Sequence, residues 1–335
     1  MFQHKTATAP VSLKKLAEQP DLLTGGHRLC AGCAESAIVR QVLMASTYPV
    51  VAIMATGCLE VATTVYPATA WRVPMLHNAF ENAAATASGA EAAYRALRAK
   101  GRIPDRELRF VVFAGDGGTY DIGFQSLSGA LERGTRFLYI CFNNEGYMNT
   151  GIQRSSATPL GADTSTTPVG EAVLGKPGWR KDLTGIVVAH NAPYVAQTAP
   201  TAFRPHDLKN KVARALEAPG PAFINVLSAC TRGWRYEPAD TIAITQLAID
   251  TCYWPLFEVI DGKWHLNYKP KQKRPIMDWL SAQGRFRHLL KQGRLVAEIQ
   301  ARIDSEWDTL LERCGEAPVA AASVPPPRKA AGASD

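Results

Sequence analysis

The sequence predicts an α/β fold with a mostly parallel sheet and helices on both of its faces. Three short, wholly apolar runs at 50–54, 110–114 and 137–142 are typical of buried parallel strands. Apolar residues at helical spacing in 34–46, and an Ala-rich stretch at 82–98, predict covering helices. The last two strands are separated by a glycine-rich loop and a further helix, which is the order of a βαβ unit.

The composition is that of an ordinary globular protein. The chain has 335 residues, of which 46% are hydrophobic and 20% charged, and its formal net charge is +7. These values exclude wholesale disorder, a collagen-like chain and a coiled coil, and the length fits two domains or one large domain with extensions. Because the sequence has no apolar run long enough to span a bilayer and no apolar signal region at its start, we expect a cytoplasmic protein without membrane contact.

The same patterns predict the rest of the secondary structure. The remaining elements are strands at 186–189, 194–197 and 223–227 and helices at 124–131 and 209–217. Residues 151–180 are rich in Thr, Ser, Gly and Pro, which predicts a long loop.

Four regions are expected along the chain. Residues 1–25 form a loose N-terminal arm, residues 26–250 the main domain, residues 251–314 a C-terminal arm packed on a partner subunit, and residues 315–335 a disordered tail. Lys and Arg cluster within 263–302, with aromatic residues between them. This pattern allows a nucleic-acid patch or a solvated arm, and the lack of any recognisable nucleic-acid motif favours the arm.

A glycine-rich loop stands where a parallel sheet binds its ligands. Gly115-Asp116-Gly117-Gly118 follows the strand at 110–114 and precedes a helix, so its backbone can approach a phosphate near the positive helix end. Asp116 and, one strand later, Asn144 offer the oxygen atoms that Mg²⁺ prefers. The spacing fits neither a P-loop nor a dinucleotide fingerprint. A tight turn with an Asp cap remains an alternative, but Asn143-Asn144 one strand after Gly-Asp-Gly is typical of thiamine diphosphate sites.

The cysteines suggest a second site at the same edge. Cys30 and Cys33 form a C-x-x-C motif, while Cys58 and Cys230 each follow a predicted strand. Seven cysteines in a chain without an export signal point to metal, cluster or core use and away from disulfides. There is no second C-x-x-C for a zinc ribbon, and four gathered thiolates would suit a [4Fe–4S] cluster. Cysteines of the hydrophobic core are an equally good interpretation at this point, and Cys141, inside an apolar strand, is expected to be one of them.

Several motifs together resemble a known family. The motifs are CAGC at 30–33, ATGCLEV around Cys58, AWRVPMLHNAFENAAATASG at 70–89, AGDGGTYDIGFQSLSGALERG at 114–134 and NNEGYMNTGIQRSSATP at 143–159. The chain resembles, from about residue 20 to about residue 291, the β subunit of 2-oxoacid:ferredoxin oxidoreductases of the pyruvate type. The resemblance implies the thiamine diphosphate-binding version of the α/β fold.

The resemblance also implies the site residues. The expected ligands of a [4Fe–4S] cluster are Cys30, Cys33, Cys58 and Cys230. The expected Mg²⁺ ligands are Asp116, Asn144 and the carbonyl of Gly146. The expected cofactor contacts are Glu35, Cys58, Gly115, Asp116, Gly117, Gly118, Asn144, Gly146, Tyr147, Met148 and Asn149. Among these, Glu35 and Asn149 are the expected catalytic residues, with Asn149 near the reacting thiazolium of the cofactor.

The activity implied by the resemblance is oxidative decarboxylation of a 2-oxoacid to an acyl-coenzyme A and CO₂. Pyruvate is the default substrate, and an aryl 2-oxoacid such as phenylglyoxylate, or oxalate, is an alternative. Electrons would pass to the cluster and then to ferredoxin or NAD through other subunits. The expected partners are an α subunit that supplies the Glu contacting the aminopyrimidine ring, a γ subunit, a ferredoxin-like δ subunit and a possible NAD or flavin subunit.

Two other functions stay open on the sequence. A non-oxidative thiamine-dependent decarboxylase or synthase would need no cluster, and a zinc-stabilised module could bind nucleic acid through the basic C-terminal residues. His77, in the dense HNAFEN segment, and Arg154, near the predicted pocket, are candidates for a proton-transfer and a carboxylate-binding residue. An ordinary structural role is the alternative for both.

Overall fold

The computed structural model describes Lys14 and residues 18–317, which form an eight-stranded sheet flanked by helices. The strands are β1 Val50–Ala55, β2 Met75–Asn78, β3 Arg109–Gly115, β4 Phe137–Asn143, β5 Tyr194–Thr198, β6 Ala222–Leu227, β7 Phe257–Ile260 and β8 Lys263–Leu266. Their order in the sheet is β2-β1-β3-β4-β6-β5-β7-β8. The first six pair in parallel, and β7 and β8 extend the sheet antiparallel.

The α-helices precede, connect and follow these strands. They are α1 Ala34–Ala45, α2 Cys58–Thr63, α3 Ala83–Ala99, α4 Phe124–Glu132, α5 Leu183–Val188, α6 Asp207–Glu217, α7 Thr231–Trp234, α8 Thr241–Asp250, α9 Ile276–Ser281 and α10 Gly293–Arg313. A π-helix covers Gly117–Ile122, and 3₁₀ turns cover Pro238–Asp240 and Gly284–Lys291. The predicted helices at 34–46, 82–98, 124–131 and 209–217 are confirmed to within two residues.

Helices cover both faces of the sheet, as the sequence predicts. One apolar core lies between the sheet and α1 and α6, where Ile38 and Val212 are fully buried. A second lies on the opposite face, where Ala87 of α3 and Leu127 of α4 are fully buried. A strand with apolar residues on both faces has to be covered on both, so the wholly apolar runs of β3 and β4 account for this arrangement. No helix within the described residues is long and apolar enough to cross a membrane.

The parallel register brings the carboxyl ends of the central strands to one edge. Gly115 at the end of β3 pairs with Phe142 of β4, and Asn143 at the end of β4 pairs with Leu227 at the end of β6. The segments that follow these strands therefore begin side by side. This is the edge at which parallel α/β sheets bind ligands.

One predicted strand is a helix. Residues 186–189 are apolar and β-branched, but the chain forms α5 there instead. Asp182 caps this helix, because its side chain accepts a hydrogen bond from the Gly185 amide at 2.9 Å. Leu183 and Val187, four residues apart, are both fully buried against the sheet, so burial at helical spacing outweighs β propensity.

The described end of the N-terminal arm is attached to the domain. Leu23 is fully buried, and the Thr24 amide donates to the Ala70 carbonyl at 2.8 Å. The prediction of a loose arm is therefore wrong for residues 21–24, whereas residues 18–20 and 25 are exposed. The rest of the predicted arm, apart from Lys14, lies outside the described residues, as does 318–335 of the predicted tail.

The region 251–313 is folded onto its own chain. It contributes β7 and β8 to the sheet, and Trp279 and Phe286 are fully buried in a third apolar core with Trp234. The prediction of a solvated, loop-like arm is wrong here, because Trp279 and Phe286, which lie between basic residues, face inward. Buried rings cannot stack on nucleic-acid bases, which removes the main support for a nucleic-acid patch. Contact of this region with a partner subunit stays a prediction.

Replacing Trp279 tests the importance of this third core. The ring stacks on Tyr253 with 4.0 Å between ring centroids, so we expect Trp279→Ala to lower the free energy of unfolding by about 3–5 kcal/mol. Leu290→Ala in the same region is the control, because that side chain is 43% exposed and its loss should cost less than about 1 kcal/mol. Urea denaturation of the purified chain measures both. Equal, small losses would mean that the region is dispensable for folding.

Candidate functional site

A buried carboxylate organises the loops after β3 and β4. Asp116 is fully buried, and its Oδ1 accepts hydrogen bonds from the amides of Asn144 at 3.0 Å and Glu145 at 3.1 Å. Its Oδ2 accepts the hydroxyl of Ser155 at 2.5 Å. The structure thus brings together Asp116 and Asn144, as the sequence predicts.

Three oxygen atoms, one of them from this carboxylate, lie close together. The Nδ2 of Asn144 donates to Glu35 at 3.3 Å, so its Oδ1 faces Asp116 Oδ1 and the Gly146 carbonyl, each at 2.9 Å. All three oxygens are acceptors. Rotating the Asn144 amide by 180° would present its NH₂ group to both neighbouring oxygens. A cation bound among the three oxygens would satisfy them as well, and it would keep the hydrogen bond from Asn144 to Glu35.

The glycine-rich loop makes close backbone contacts. A Cβ atom on Gly117 would lie 2.4 Å from the Tyr147 ring, and the Tyr147 hydroxyl donates to the Gly117 carbonyl at 2.9 Å. On Gly118, a Cβ would lie 3.1 Å from the Phe80 carbonyl oxygen. Larger residues therefore do not fit without a shift. The segment after Asp116 is a π-helix, a rare form that is common at functional sites.

Two buried acids at this edge favour their neutral forms. Burial raises the pKa of Glu35 to about 7, although the hydrogen bond from Asn144 opposes the change. Burial also raises the pKa of Asp116 to about 8, against the opposing effect of the Ser155 hydrogen bond. The Oε2 atom of Glu35 is buried and has no hydrogen-bond partner. A buried carboxylate without a full set of partners is stabilised in its charged form by a nearby cation.

The four cysteines predicted to act together line one cavity. Cys30, Cys33, Cys58 and Cys230 surround a cavity of about 290 Å³. Burial raises the pKa of the Cys33 and Cys58 thiols, and the neighbouring Glu35 carboxylate raises it further. A charge on Cys230 would add to this effect on both thiols. Cys141, in contrast, is fully buried in β4, as expected of a core residue.

The C-x-x-C turn is fixed by a glycine that no other residue can replace easily. Gly32 has a φ of +71°, and a Cβ there would lie 2.5 Å from the Pro238 carbonyl oxygen. The Thr241 hydroxyl donates to the Gly32 carbonyl at 2.6 Å, which attaches the turn to α8. Cys33 then stands directly before α1, whose second residue is the buried Glu35. The turn and the start of α1 therefore carry two thiols and a carboxyl group between residues 30 and 35.

The thiol cavity and a second cavity share a wall. The second lies over the glycine-rich loop, and both are lined by Glu35, Cys58, Asn144 and Asn149. The second cavity is also lined by further residues that the sequence singled out, namely Gly115, Gly117, Gly118, Gly146, Tyr147 and Met148. This second cavity is partly open to solvent, so this chain alone does not enclose a ligand there.

Within the described residues, no three His, Cys, Asp or Glu side chains are close enough to hold one metal ion. This finding argues against a mononuclear zinc site made by the cysteines. It does not apply to a [4Fe–4S] cluster, because each thiolate of such a cluster binds a different iron and the sulfur atoms lie farther apart. It also does not apply to oxygen ligands from amides and carbonyls.

Two residues near the site were not predicted. Ser155 holds Asp116 from the long loop, and the Trp234 indole donates to the Asn144 carbonyl at 2.8 Å. Ser155 lies in a Ser- and Thr-rich stretch that gives no local signal. Trp234 lies four residues after Cys230, and this short distance was the only feature of the sequence that linked it to the site.

The structure places the two remaining candidates at the periphery. His77 on β2 contacts Glu60 at 2.6 Å and Thr56 at 3.2 Å, and its side chain is half exposed. Since Thr56 lines the second cavity, a role for His77 stays a hypothesis. Arg154 is exposed and lines neither cavity described above.

Comparison with known proteins agrees with the fold and the loops. The profile of the family "Thiamine pyrophosphate enzyme, C-terminal TPP binding domain" matches residues 55–226, from the end of β1 to β6. A solved structure, a 2-oxoglutarate:ferredoxin oxidoreductase from Magnetococcus marinus, aligns with a TM-score of 0.51 at 22% identity over 69% of this chain and 77% of that chain. That likeness shows the fold alone. The fold and the matching profile define a thiamine pyrophosphate enzyme domain.

Close relatives narrow the class to one family. The chain is 49% identical to pyruvate synthase subunit PorB of Thermotoga maritima, over 90% of this chain and 96% of that protein. It is 49% identical to the same subunit of Methanocaldococcus jannaschii, over 85% and 95%, and 42% identical to ketoisovalerate oxidoreductase subunit VorB of Pyrococcus abyssi, over 85% and 91%. The chain belongs to the β-subunit family of 2-oxoacid:ferredoxin oxidoreductases, which confirms the resemblance seen in the sequence.

The burial of Glu35 predicts a pH effect on folding. Between pH 4.5 and about 7 the unfolded chain has lost a proton that folded Glu35 retains, so the free energy of unfolding falls as the pH rises. The fall amounts to about 3 kcal/mol. Glu35→Gln should remove it, while the parallel effect of Asp116 is common to both proteins. Denaturation of the cofactor-free chain at pH 4.5 and pH 7 measures this. An identical pH dependence in the two proteins would contradict the assignment.

Proposed function

We propose that the chain is the thiamine diphosphate-binding β subunit of a complex that oxidatively decarboxylates a 2-oxoacid and passes the electrons to an iron–sulfur cluster on the same subunit. One observation carries this proposal. The cavity over the glycine-rich loop and the cavity of the four cysteines share Glu35, Cys58, Asn144 and Asn149 as lining residues. An electron donor in the first cavity and an acceptor in the second would then be separated by single side chains.

The oxygens beside Asp116 fit Mg²⁺. In an octahedral Mg²⁺ site the metal–oxygen distance is about 2.0–2.1 Å, so adjacent ligand oxygens lie about 2.9 Å apart. Asn144 Oδ1 lies 2.9 Å from Asp116 Oδ1 and 2.9 Å from the Gly146 carbonyl. These three atoms would hold either one face of the octahedron or three positions in one plane through the metal, and diphosphate oxygens would supply further ligands. Ser155 and two backbone amides hold the Asp116 carboxylate in place for this role.

The four thiols fit a [4Fe–4S] cluster by their chemistry and their number. Partial burial and neighbouring charges oppose ionisation of the Cys33 and Cys58 thiols, so these need cations to become thiolates, and iron supplies them. Cys58 begins α2 directly after the loop that lines the cofactor cavity. It would thus be a cluster ligand and a cofactor contact at the same time.

Bound thiamine diphosphate would supply a carbanion for addition to the 2-oxo carbon and an electron sink for the loss of CO₂. The chain's own residues would position it. Gly115, Gly117 and Gly118 leave room for the diphosphate, while Tyr147 and Met148 line the cavity wall. Glu35 and Asn149, at the boundary of the two cavities, would contact the reacting part of the cofactor.

The proposed active site is completed by a partner subunit. The cavity over the glycine-rich loop is partly open to solvent, so a cofactor bound there would need a partner to enclose it. An α subunit would enclose the cofactor and provide the Glu that contacts its aminopyrimidine ring. We further propose γ and ferredoxin-like δ subunits, with or without an NAD or flavin subunit, coenzyme A as co-substrate and a cytoplasmic location. The isolated chain should then show no turnover.

Pyruvate is the proposed substrate, because the Thermotoga maritima and Methanocaldococcus jannaschii relatives are named pyruvate synthase subunits. The Pyrococcus abyssi relative, named for ketoisovalerate, supports a branched 2-oxoacid as the alternative. Anaerobic assay of the native complex with pyruvate, ketoisovalerate, phenylglyoxylate and oxalate, with coenzyme A and a viologen dye, separates these substrates. Product formation without dye reduction would instead favour a non-oxidative thiamine enzyme.

Replacing Cys58 tests the cluster. We expect Cys58→Ser in the assembled complex to lose iron from this subunit and the share of the broad absorbance near ~400 nm that its cluster contributes, and to reduce the dye at less than a tenth of the normal rate. Cys314→Ser is the matched control, because Cys314 follows α10 and lines neither cavity. Iron analysis and dye reduction after anaerobic purification give both results. Full iron content in the Cys58 variant would exclude the proposed ligand set.

A further inference from the structure

The residue between the two proposed Mg²⁺ ligands has an unusual conformation. Glu145 follows Asn144 and precedes Gly146, and its φ is +68°, in the left-handed region that residues with a side chain disfavour. Its side chain is fully buried and lines neither cavity. Something other than local preference therefore holds this residue in place.

The Glu145 carboxylate accepts hydrogen bonds from residues far along the chain. Its Oε1 accepts the hydroxyl of Tyr253, and its Oε2 accepts Nη2 of Arg285. The Glu145 carbonyl accepts the Thr158 hydroxyl at 2.7 Å. Both members of the Glu145–Arg285 ion pair are almost fully buried, with side-chain exposures of 0% and 2%. A buried pair of this kind depends on its geometry, because loss of either partner leaves an unpaired charge.

Arg285 is itself fixed in one position. Its Nε and Nη2 donate to Gln283 Oε1 at 2.9 and 2.7 Å. Its guanidinium lies 4.3 Å from the Trp234 ring centroid and 4.8 Å from that of Phe286. A planar cation packed among rings and paired through several donors has few alternative positions.

The same group of residues also reaches the backbone of Asn144. The Trp234 indole, which contacts Arg285, donates to the Asn144 carbonyl at 2.8 Å. The Asn144–Gly146 loop is therefore attached at two points, the Asn144 carbonyl and the Glu145 side chain, to one rigid cluster. Trp234 also ends the short helix that begins after Cys230, so the cluster contacts the cysteine side of the site as well.

We propose that Glu145 and Arg285 are positioning residues for the metal-binding loop, rigidly setting the direction of Asn144 Oδ1 and the Gly146 carbonyl toward Asp116. This inference rests on the proposed function, in which those atoms bind the Mg²⁺ of thiamine diphosphate. Without the ion pair, residue 145 would relax from its left-handed conformation and turn the Gly146 carbonyl away from Asp116. The third apolar core would then control metal affinity although it touches neither metal nor cofactor.

The test uses the assembled complex and measures cofactor binding without turnover. For Arg285→Met and Glu145→Gln, we expect the Mg²⁺ concentration that gives half-maximal thiamine diphosphate binding to rise at least about 10-fold, the usual effect of losing a residue that supports a metal ligand. Tyr253→Phe, which keeps all charges, should fold normally and give a smaller rise in the same direction. Calorimetric titration of thiamine diphosphate at a series of Mg²⁺ concentrations provides the values.

A control variant separates positioning from general destabilisation. Arg214→Met breaks the ion pair with the buried Glu258, which lies on β7 away from the loop. It should lower the melting temperature without changing Mg²⁺ half-saturation. The double variant Glu145→Gln/Arg285→Met removes both buried charges, so its melting temperature should recover relative to the single variants while Mg²⁺ half-saturation stays raised.

The outcomes are distinct. Unchanged Mg²⁺ half-saturation in Arg285→Met and Tyr253→Phe, beside normal binding in the wild type, would overturn the positioning role alone. Recovery of Mg²⁺ affinity together with stability in the double variant would also overturn it, because the pair would then serve only folding. Absence of Mg²⁺-dependent cofactor binding in the wild-type complex would overturn the proposed function, and the positioning role with it.

Discussion

The alignment of the parallel strands is the constraint on which the rest of the structure depends. Because β3, β4 and β6 end at matched positions, the segments after them start side by side, and Asp116, Asn144 and Cys230 reach one edge from separate parts of the sequence. Cys58 reaches the same edge from β1. A shift of one strand by two residues would move its loop by about 7 Å and separate these groups. The apolar cores on both faces of the sheet hold the register.

The side chains proposed to bind the two centres at this edge include two carboxylic acids and several thiols, all of which are acids. Burial raises the pKa of Glu35, Asp116, Cys33 and Cys58 alike, so each resists ionisation on its own account. Bound cations reverse that preference, since Mg²⁺ stabilises carboxylates and iron stabilises thiolates. The shared boundary of the two cavities means that both proposed centres would depend on the same few side chains. Cofactor binding and electron transfer are then properties of one structural unit.

Local patterns in the sequence predicted β1, β3, β4, β5 and β6 but not β2, β7 and β8, and they did not predict which residues support the loops of the site. The runs that form β3 and β4 are apolar throughout, and the glycines around Asp116 are adjacent in sequence. Arg285 gave no comparable signal, because it is one basic residue among many and meets Glu145 only through a fold that spans 140 positions. The error at α5 has the same origin: the burial of Leu183 and Val187 is a tertiary effect. The interleaved aromatic and basic residues of the C-terminal region suggested a solvated arm, whereas their rings complete a core.

Diffraction from crystals of the assembled complex at the iron absorption edge tests the central claim most directly. The account predicts a compact iron peak enclosed by the sulfur atoms of Cys30, Cys33, Cys58 and Cys230. It further predicts thiamine diphosphate density beside the peak, with an ion bound by Asp116, Asn144 and the Gly146 carbonyl. Iron located elsewhere in the subunit, or a cofactor bound away from the glycine-rich loop, would contradict it.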